Sequence, residues 1–478
     1  MPLLFGIMLS SFNVAYGSIT PVKIHGFVNY DTVNGYNSQS ALVQREDGSL
    51  IGTTCSGGIN SVGTIFVAST NGSQFETLLS FDMSNGGYIG GGYIAGPIFG
   101  KDGNLYGTTR SGGANLAGEV YQETGSGVNV FSFTGGDDGQ FPYAGLVLGV
   151  DGNLYGTTTS GGLFTFLDPN NVGYGTVFQI TAAGSFNTLH SFNGSDGSNS
   201  RGNLVQGKDG VLYGTTVGGG ASGWGTVFKI TTNGIFTTLY SFTGNGDGAR
   251  PVGGLVQGSD NNFYGTTYYR GAYTSSDSTG NGYGTAFKIT STGILTTLTS
   301  FNNTNGANPN STLVLGRDGN FYGTTQYGLT DYPPIPGIIA NFGTIIKMTP
   351  SGTITTLTSF DYMSGYGAYP NGLMLATDGN LYGTCQNGGN YFGASGGIIF
   401  RLNLPPRPVF GGTSATGGKL KTTLSGLSSG STVVLQVSTD LKNWTPVKTN
   451  SVLTGSTLTF TNTINPALKG QYFRAMLQ

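Results

Sequence analysis

Residues 102–109 read DGNLYGTT, and the phrase opens again at Asp151, Asp209, Asp318 and Asp378, with looser copies at Asp47 (DGSLIGTT) and Asp260 (DNNFYGTT). Seven copies spaced 49 to 60 residues apart constrain the fold more than any other feature, because a period near fifty belongs to a propeller or a solenoid. The grammar inside each period is constant. The fourth unit runs GNLVQGKDGVLYGTT and ends GTVFKITTNGIFTTLYSF. Asp209-Gly210 separates NLVQ from VLYGTT, and Asn233-Gly234 separates GTVFKI from IFTTLYSF; both are pairs that tight hairpins prefer. Four antiparallel strands per unit, repeated radially, make a propeller blade. The sequence therefore predicts an all-β fold: a seven-bladed β-propeller of four-stranded blades over residues 18–403.

The ends of the repeat decide between a ring and an open stack. The last unit supplies NGLML, LYGTC and GGIIFRLN and then meets Pro405-Pro406, one strand short. The N-terminal segment TPVKIHGF aligns with the fourth strand of an ordinary unit and precedes the first unit's SALVQ. The strand near Val22 to Phe27 is thus predicted to complete blade seven and to remove an open sheet edge. In the repeated phrase itself, Asp and Gly make the turn. Leu and Tyr point to opposite faces of strand two, both buried between blades.

Composition agrees and narrows the partners. The chain has 86 glycines, 9% charged residues and a net charge of −2. Its glycines recur at turns between aromatic and β-branched runs, which favours turn-rich β structure over disorder. No basic stripe suggests nucleic acid. Leu3 to Leu9 form a short apolar core before Ala15-Tyr16-Gly17, so residues 1–17 are read as a signal peptide cleaved after Gly17, although no basic residue precedes that core. No run of 18 or more apolar residues suggests a membrane span. Oligomeric state is left open.

With DGNLYGTT, GTVFKIT and TTLYSF on the page, the chain resembles the Gloeo_Verruco, or GloVer, tandem-repeat family of exported bacterial proteins, over residues 20–403. The resemblance implies an exported repeat protein and no particular activity. Residues 404–408 (LPPRP) read as a stiff linker. The alternating runs of residues 409–478 read as a small C-terminal β-sandwich, similar to modules found on exported proteins of the same bacterial groups.

Catalytic constellations are scarce. His25 and His190 stand where other blades place Leu79, Phe131 or Tyr240, which marks a packing position and argues against a His-based metal or catalytic site. Asp137-Asp138, Asp196 and Asp247 precede glycines between blades; they read as self-capping turns, with calcium or acid catalysis as the sharper alternative. No metal and no cofactor are expected. Cys55 and Cys385 fall in blades one and seven at the closure seam, where a disulfide between them and two buried thiols are the alternatives.

Loops between strands two and three differ most from blade to blade, and differences among repeats are where function resides. They carry Phe164, Phe166, Tyr268, Tyr269, Arg270, Tyr273, Tyr327, Tyr332, Tyr391 and Phe392. Such aromatics with a polar rim suit a sugar ring or a polymer chain. Tyr174, Trp224, Tyr283 and Phe342 recur before the glycine of strand three and read as scaffold. The sequence thus points to an exported, non-catalytic binding or structural repeat protein that presents this face to a glycan or a cell-surface protein. The alternative is a polysaccharide lyase or glycoside hydrolase using Tyr and Asp on the same face.

Overall fold

The computed structural model describes residues 5–9, 19–82, 95–124, 128–164, 172–273, 281–328, 342–360, 367–388, 395–404, 409–416, 419–425, 432–439, 445–451, 457–463 and 471–477. Among them there are strands and turns and no helix. The chain divides into two compact units, one of residues 18–315 and 321–402, the other of residues 1–17, 316–320 and 403–478.

The larger unit is a ring of seven antiparallel sheets. Blade four consists of Val205–Gln206, Leu212–Thr216, Thr226–Ile230 and Phe236–Ser241 in that order. Blade seven takes Ala368–Leu375, Leu381–Asn387 and Ser395–Leu402 from the end of the repeat and Val22–Val28 from its beginning. Val22–Val28 runs antiparallel to the third strand, with His25 opposite Ile399. The N-terminal strand therefore closes the ring, as its alignment with a fourth strand predicted.

Period-two alternation explains the packing. Leu212 enters a cluster with Tyr155, Val177 and Phe192 of blade three, while its neighbour Tyr213 enters one with Leu255, Phe263 and Phe287 of blade five. At the seam, Phe27 and Tyr382 pack against Leu42 and Phe66 in the same manner. The glycine of LYGTT makes room for the residue opposite it on strand three in six blades, a phenylalanine in five and Tyr121 over Gly107 in blade two, while Gly323 in blade six is crowded by Leu313. A Cβ on Gly214 would stand 2.5 Å from Cζ of Phe228, and Gly52, Gly156, Gly265 and Gly383 lie equally close under Phe66, Phe178, Phe287 and Phe400.

Hydrogen bonds fix the two threonines. In blades two, four, six and seven the first reaches the next blade: Thr215 Oγ1 donates to Gly253 O at 3.0 Å, and across the seam Thr384 Oγ1 donates to Ser40 O at 2.9 Å. Thr157 and Thr266, in blades three and five, are buried with no hydrogen-bond partner for Oγ1 among the described residues. The second pairs with the threonine that opens strand three, Thr216 with Thr226 at 2.8 Å and Thr267 with Thr285 at 2.9 Å. Two blades break this pair. Blade seven replaces it with Cys385 opposite Ile398, an apolar exchange that removes both hydroxyls together. Blade two sets Thr109 opposite Glu119. Glu119 is fully buried, Ser132 donates to its Oε1 at 2.7 Å, and its Oε2 has no hydrogen-bond partner.

The Asp-Gly pairs stand in tight hairpins, as their sequence suggested. Gly207 N–H donates to Val211 O and Gly210 N–H to Gly207 O, which is a three-residue loop with Gly210 alone in the left-handed region at φ 79°. The aspartate is thereby released for other bonds. Asp209 accepts the Tyr213 hydroxyl at 2.7 Å, and the pairs Asp102–Tyr106, Asp151–Tyr155, Asp260–Tyr264 and Asp378–Tyr382 repeat it at 2.6–2.9 Å.

In the smaller unit, Thr432–Ser438 lies between Thr445–Ser451 and Gln471–Leu477, and Phe5–Leu9 pairs parallel with Gln471–Leu477. A second sheet orders Val409–Thr416, Lys419–Ser425 and Thr457–Thr463. Val433, Leu435, Leu424 and Phe460 are buried. Of the linker at 404–408, only Leu404 lies within the described residues.

Two expectations follow. Phe27 at the seam and Phe242 in blade four are buried in equivalent positions, so Phe27→Ala and Phe242→Ala should each cost about 3–5 kcal/mol in denaturant unfolding. A silent Phe27→Ala would mean that the ring is open. The second concerns pH. Burial pushes the Glu119 carboxyl up to about 7, with like charge from Asp82 adding to it and the Ser132 hydrogen bond opposing it. A folded pKa above the ordinary 4.5 means that Glu119 is best tolerated protonated, and its contribution declines as pH rises from 4.5 through about 7. The aspartates at 102, 151, 260 and 378 act in the opposite sense. Burial raises them, but bonds from the tyrosine and from the residue two places on outweigh it and hold them below 3.8, so their contribution is lost as pH falls beneath that value. Glu119→Gln should raise the thermal midpoint at pH 8 and leave it unchanged at pH 4.5; an equal gain at both pH values would rule this account out.

Candidate functional site

Six residues at equivalent places just before strand one share a left-handed backbone: Asn37, Phe141, Asn199, Arg250, Asn308 and Tyr369, with φ between 54° and 62°. Asparagine visits this region readily, whereas phenylalanine, arginine and tyrosine pay roughly 1–2 kcal/mol for it. The preceding blade holds them there. Asn199 N–H donates to Tyr174 O at 2.9 Å, Arg250 N–H to Trp224 O at 2.8 Å, and Asn37 N–H to Gly396 O at 2.6 Å across the seam. The carbonyl of the same residue accepts from strand two of its own blade, as Asn199 O does from Val217 N–H at 3.1 Å. Each clip is built from backbone alone. Tyr174, Trp224, Tyr283 and Phe342 thus supply scaffold carbonyls, in keeping with their recurrence.

Inside this ring lies a central funnel of about 860 Å³ to which all seven blades contribute. Its narrow part is glycine. A Cβ on Gly202 would meet Gly254 N at 2.5 Å, and one on Gly254 would meet Asn203 O at 2.4 Å, so the blades meet backbone to backbone around the axis. Its wider part is aromatic, amide and cationic. Arg201 lies over the Tyr143 ring at 5.3 Å and donates from Nε to Asn199 Oδ1 at 2.9 Å. Arg250 lies 5.6 Å over Tyr269, which meets Tyr268 edge-on at 4.7 Å. The Tyr268 hydroxyl donates to Gln326 Oε1 of the next blade. Burial, and then the neighbouring Tyr327 and Tyr269, push the Tyr268 pKa upward, which keeps that hydroxyl a donor at neutral pH. No described residue lining the funnel is Asp, Glu or His.

The residues expected on the loop face separate into groups. Tyr268 and Tyr269 line the funnel, half-buried. Arg270 lies 4.5 Å over Trp224, and Tyr327 meets Tyr369 edge-on at 6.1 Å, so both belong to packing between blades. Phe164 is half-buried and Tyr273 is exposed. Phe166, Tyr332, Tyr391 and Phe392 lie outside the described residues. Arg201, Arg250 and Tyr143 were missed by a reading confined to the loops after strand two. Their signal was available, since the place of Arg201 is held by Gln39, Tyr143, Val252 and Asn310 in other blades.

The remaining candidates have local roles. His25 stacks on Phe75 and His190 on Phe236, each at 3.8 Å, and His190 Nε2 lies 3.0 Å from Asp196. Asp138 accepts from Thr134 and Asp247 from Thr243 within their own turns. No group of three or more His, Cys, Asp or Glu able to hold a metal occurs among the described residues. Cys55 and Cys385 are both buried thiols; burial pushes the Cys385 pKa well up.

Comparison with known proteins now has a geometry to meet. Curated proteins give no match. Among solved structures, the extracellular domain of a one-component system from B. thetaiotaomicron is 10% identical with a TM-score of 0.35, covering 89% of this chain, which spans 64% of that one. A gluconolactonase from Xanthomonas campestris is 10% identical with a TM-score of 0.37, over 84% of this chain and 98% of its own. An ulvan lyase bound to a GlcA(1-4)Rha3S unit is 11% identical with a TM-score of 0.37, over 92% and 98%. Scores this low transfer neither activity nor ligand. No helix among the described residues is long and apolar enough to cross a membrane. The Gloeobacter/Verrucomicrobia repeat matches residues 4–166, 164–400 and 273–433, and the chain belongs to that family.

Proposed function

We propose that this chain is an exported, non-catalytic binding protein whose propeller takes a glycan chain at the mouth of the central funnel. The observation that carries the reading is the funnel wall formed by Tyr268, Tyr269 and Arg250 beside the Gln326 amide, in a cavity of about 860 Å³. Aromatic rings with adjacent amides match the apolar face and hydroxyl rim of a sugar. Hydrolysis at this place would require two convergent carboxylates, and the described lining offers none. Export rests on the apolar segment before Gly17 and on the family. The two C-terminal sheets are read as a sandwich that accompanies the propeller.

Binding without cleavage is the expected outcome on a glycan array run beside reducing-sugar release from the same polymers. Tyr269→Ala should weaken retention of the best-bound polymer about 30-fold, the ~2 kcal/mol of an interface hot spot. Its thermal midpoint should stay that of the parent, because strand pairing at Ala249 uses Tyr269 backbone only. Release of new reducing ends or unsaturated products would replace this reading with the enzymatic one.

A further inference from the structure

We infer that the glycan is acidic, its carboxylate or sulfate groups held by Arg201 and Arg250. The inference rests on the binding role just proposed and adds the charge class of the ligand.

Charge inside the funnel is opposite in sign to that of the whole chain. The protein carries 22 acidic and 20 basic residues, yet the described funnel lining holds two guanidiniums and no carboxylate. The two arginines come from adjacent blades, Arg250 from the left-handed ring and Arg201 from two residues beyond it. Neither forms an ion pair with an acid among the described residues, in contrast to Arg45, which lies 3.9 Å from Asp47. Arg201 donates from Nε to Asn199, which fixes the plane of its guanidinium at the funnel wall. Arg250 is exposed and is steadied by the Tyr269 ring beneath it.

Arginine suits this task better than lysine. Its planar fork meets a carboxylate or sulfate with two parallel hydrogen bonds, and stacking on tyrosine restricts the fork before the ligand arrives. Two like charges facing one concavity repel each other until an anion enters, and walls that exclude water focus their field. Tyr268 and Gln326 stand beside Arg250 for the neutral hydroxyls of the same sugar. Two cations make a short site, sized for one or two charged residues of a polymer; a continuous phosphate backbone calls for a longer basic track.

The test compares matched polymers by affinity electrophoresis of the full chain: polygalacturonate against its methyl ester, and dextran sulfate against dextran. The acidic member of at least one pair should be retained at least tenfold more strongly, and the excess should fade between 50 and 500 mM NaCl, roughly the range over which the Debye length shrinks below the size of the site. Arg201→Gln with Arg250→Gln should abolish the excess and leave residual retention equal to that of the neutral partner. Arg201→Lys should keep the salt dependence while losing part of the excess, since charge remains without the fork. Equal retention of acidic and neutral members overturns the inference and leaves the binding role intact. Retention of no polymer overturns both. An acidic preference that survives in the double glutamine variant places the site elsewhere. Equal retention of single-stranded oligonucleotides, lost in the same variant, overturns the glycan assignment.

Discussion

A sheet that is apolar on both faces has to be covered on both faces, and every blade of this protein is such a sheet. Phe228 lies over Gly214 in one blade, Tyr213 turns the other way, and each surface finds its cover only in a neighbour. No blade can be last. The ring closes because Val22–Val28 repairs the incomplete seventh blade, and the bonds across that seam copy those elsewhere. Thr384 to Ser40, Asn37 to Gly396 and Thr377 to Gln44 have their counterparts at interior junctions. Burial drives the association, and the hydrogen bonds set the register in which it occurs.

Polar pairs inside the blades show how strictly that register is kept. Replacing Thr–Thr by Cys385–Ile398 removes both partners at once and leaves no buried hydroxyl behind. Replacing one threonine by Glu119 leaves a carboxylate oxygen without a partner, and burial of that carboxylate raises its pKa to about 7. The same substitution site is therefore benign in one blade and pH-sensitive in another, depending on whether the change was made in pairs.

Much of the fold was legible because its causes are local or periodic. Alternation over LYGTT assigned Leu212 and Tyr213 to opposite interfaces, and the missing fourth strand of the last unit announced the closing segment. The Asp209–Tyr213 bond was hidden because the Asp-Gly pair was read as a turn alone, whereas the three-residue loop turns the aspartate toward the tyrosine four places on. The left-handed ring was hidden for a different reason. Phe141, Arg250 and Tyr369 show no common side-chain signature, since the conformation is imposed by a carbonyl of the preceding blade. Of the ten loop residues expected on the face, Tyr268 and Tyr269 line the funnel. Arg201 was overlooked because it lies at the entry to strand one, outside the loops between strands two and three that vary most.

Position within the repeat decides which residues are free to differ. A residue whose side chain holds the fold varies little: the residue over the glycine is phenylalanine in five blades, with Tyr121 in blade two and Ile346 in blade six. At the ring, both the N–H and the C=O of Asn199 are committed to the scaffold and its side chain is not required for either bond. Any residue that tolerates the backbone strain can therefore stand there, and the next positions inherit the same freedom. Six such places occur among the described residues, so a repeat that is nearly uniform in its core can present asparagine, tyrosine, glutamine and arginine to a single cavity without disturbing a blade. The chemistry of the funnel is specified by the few residues that the scaffold holds by backbone alone.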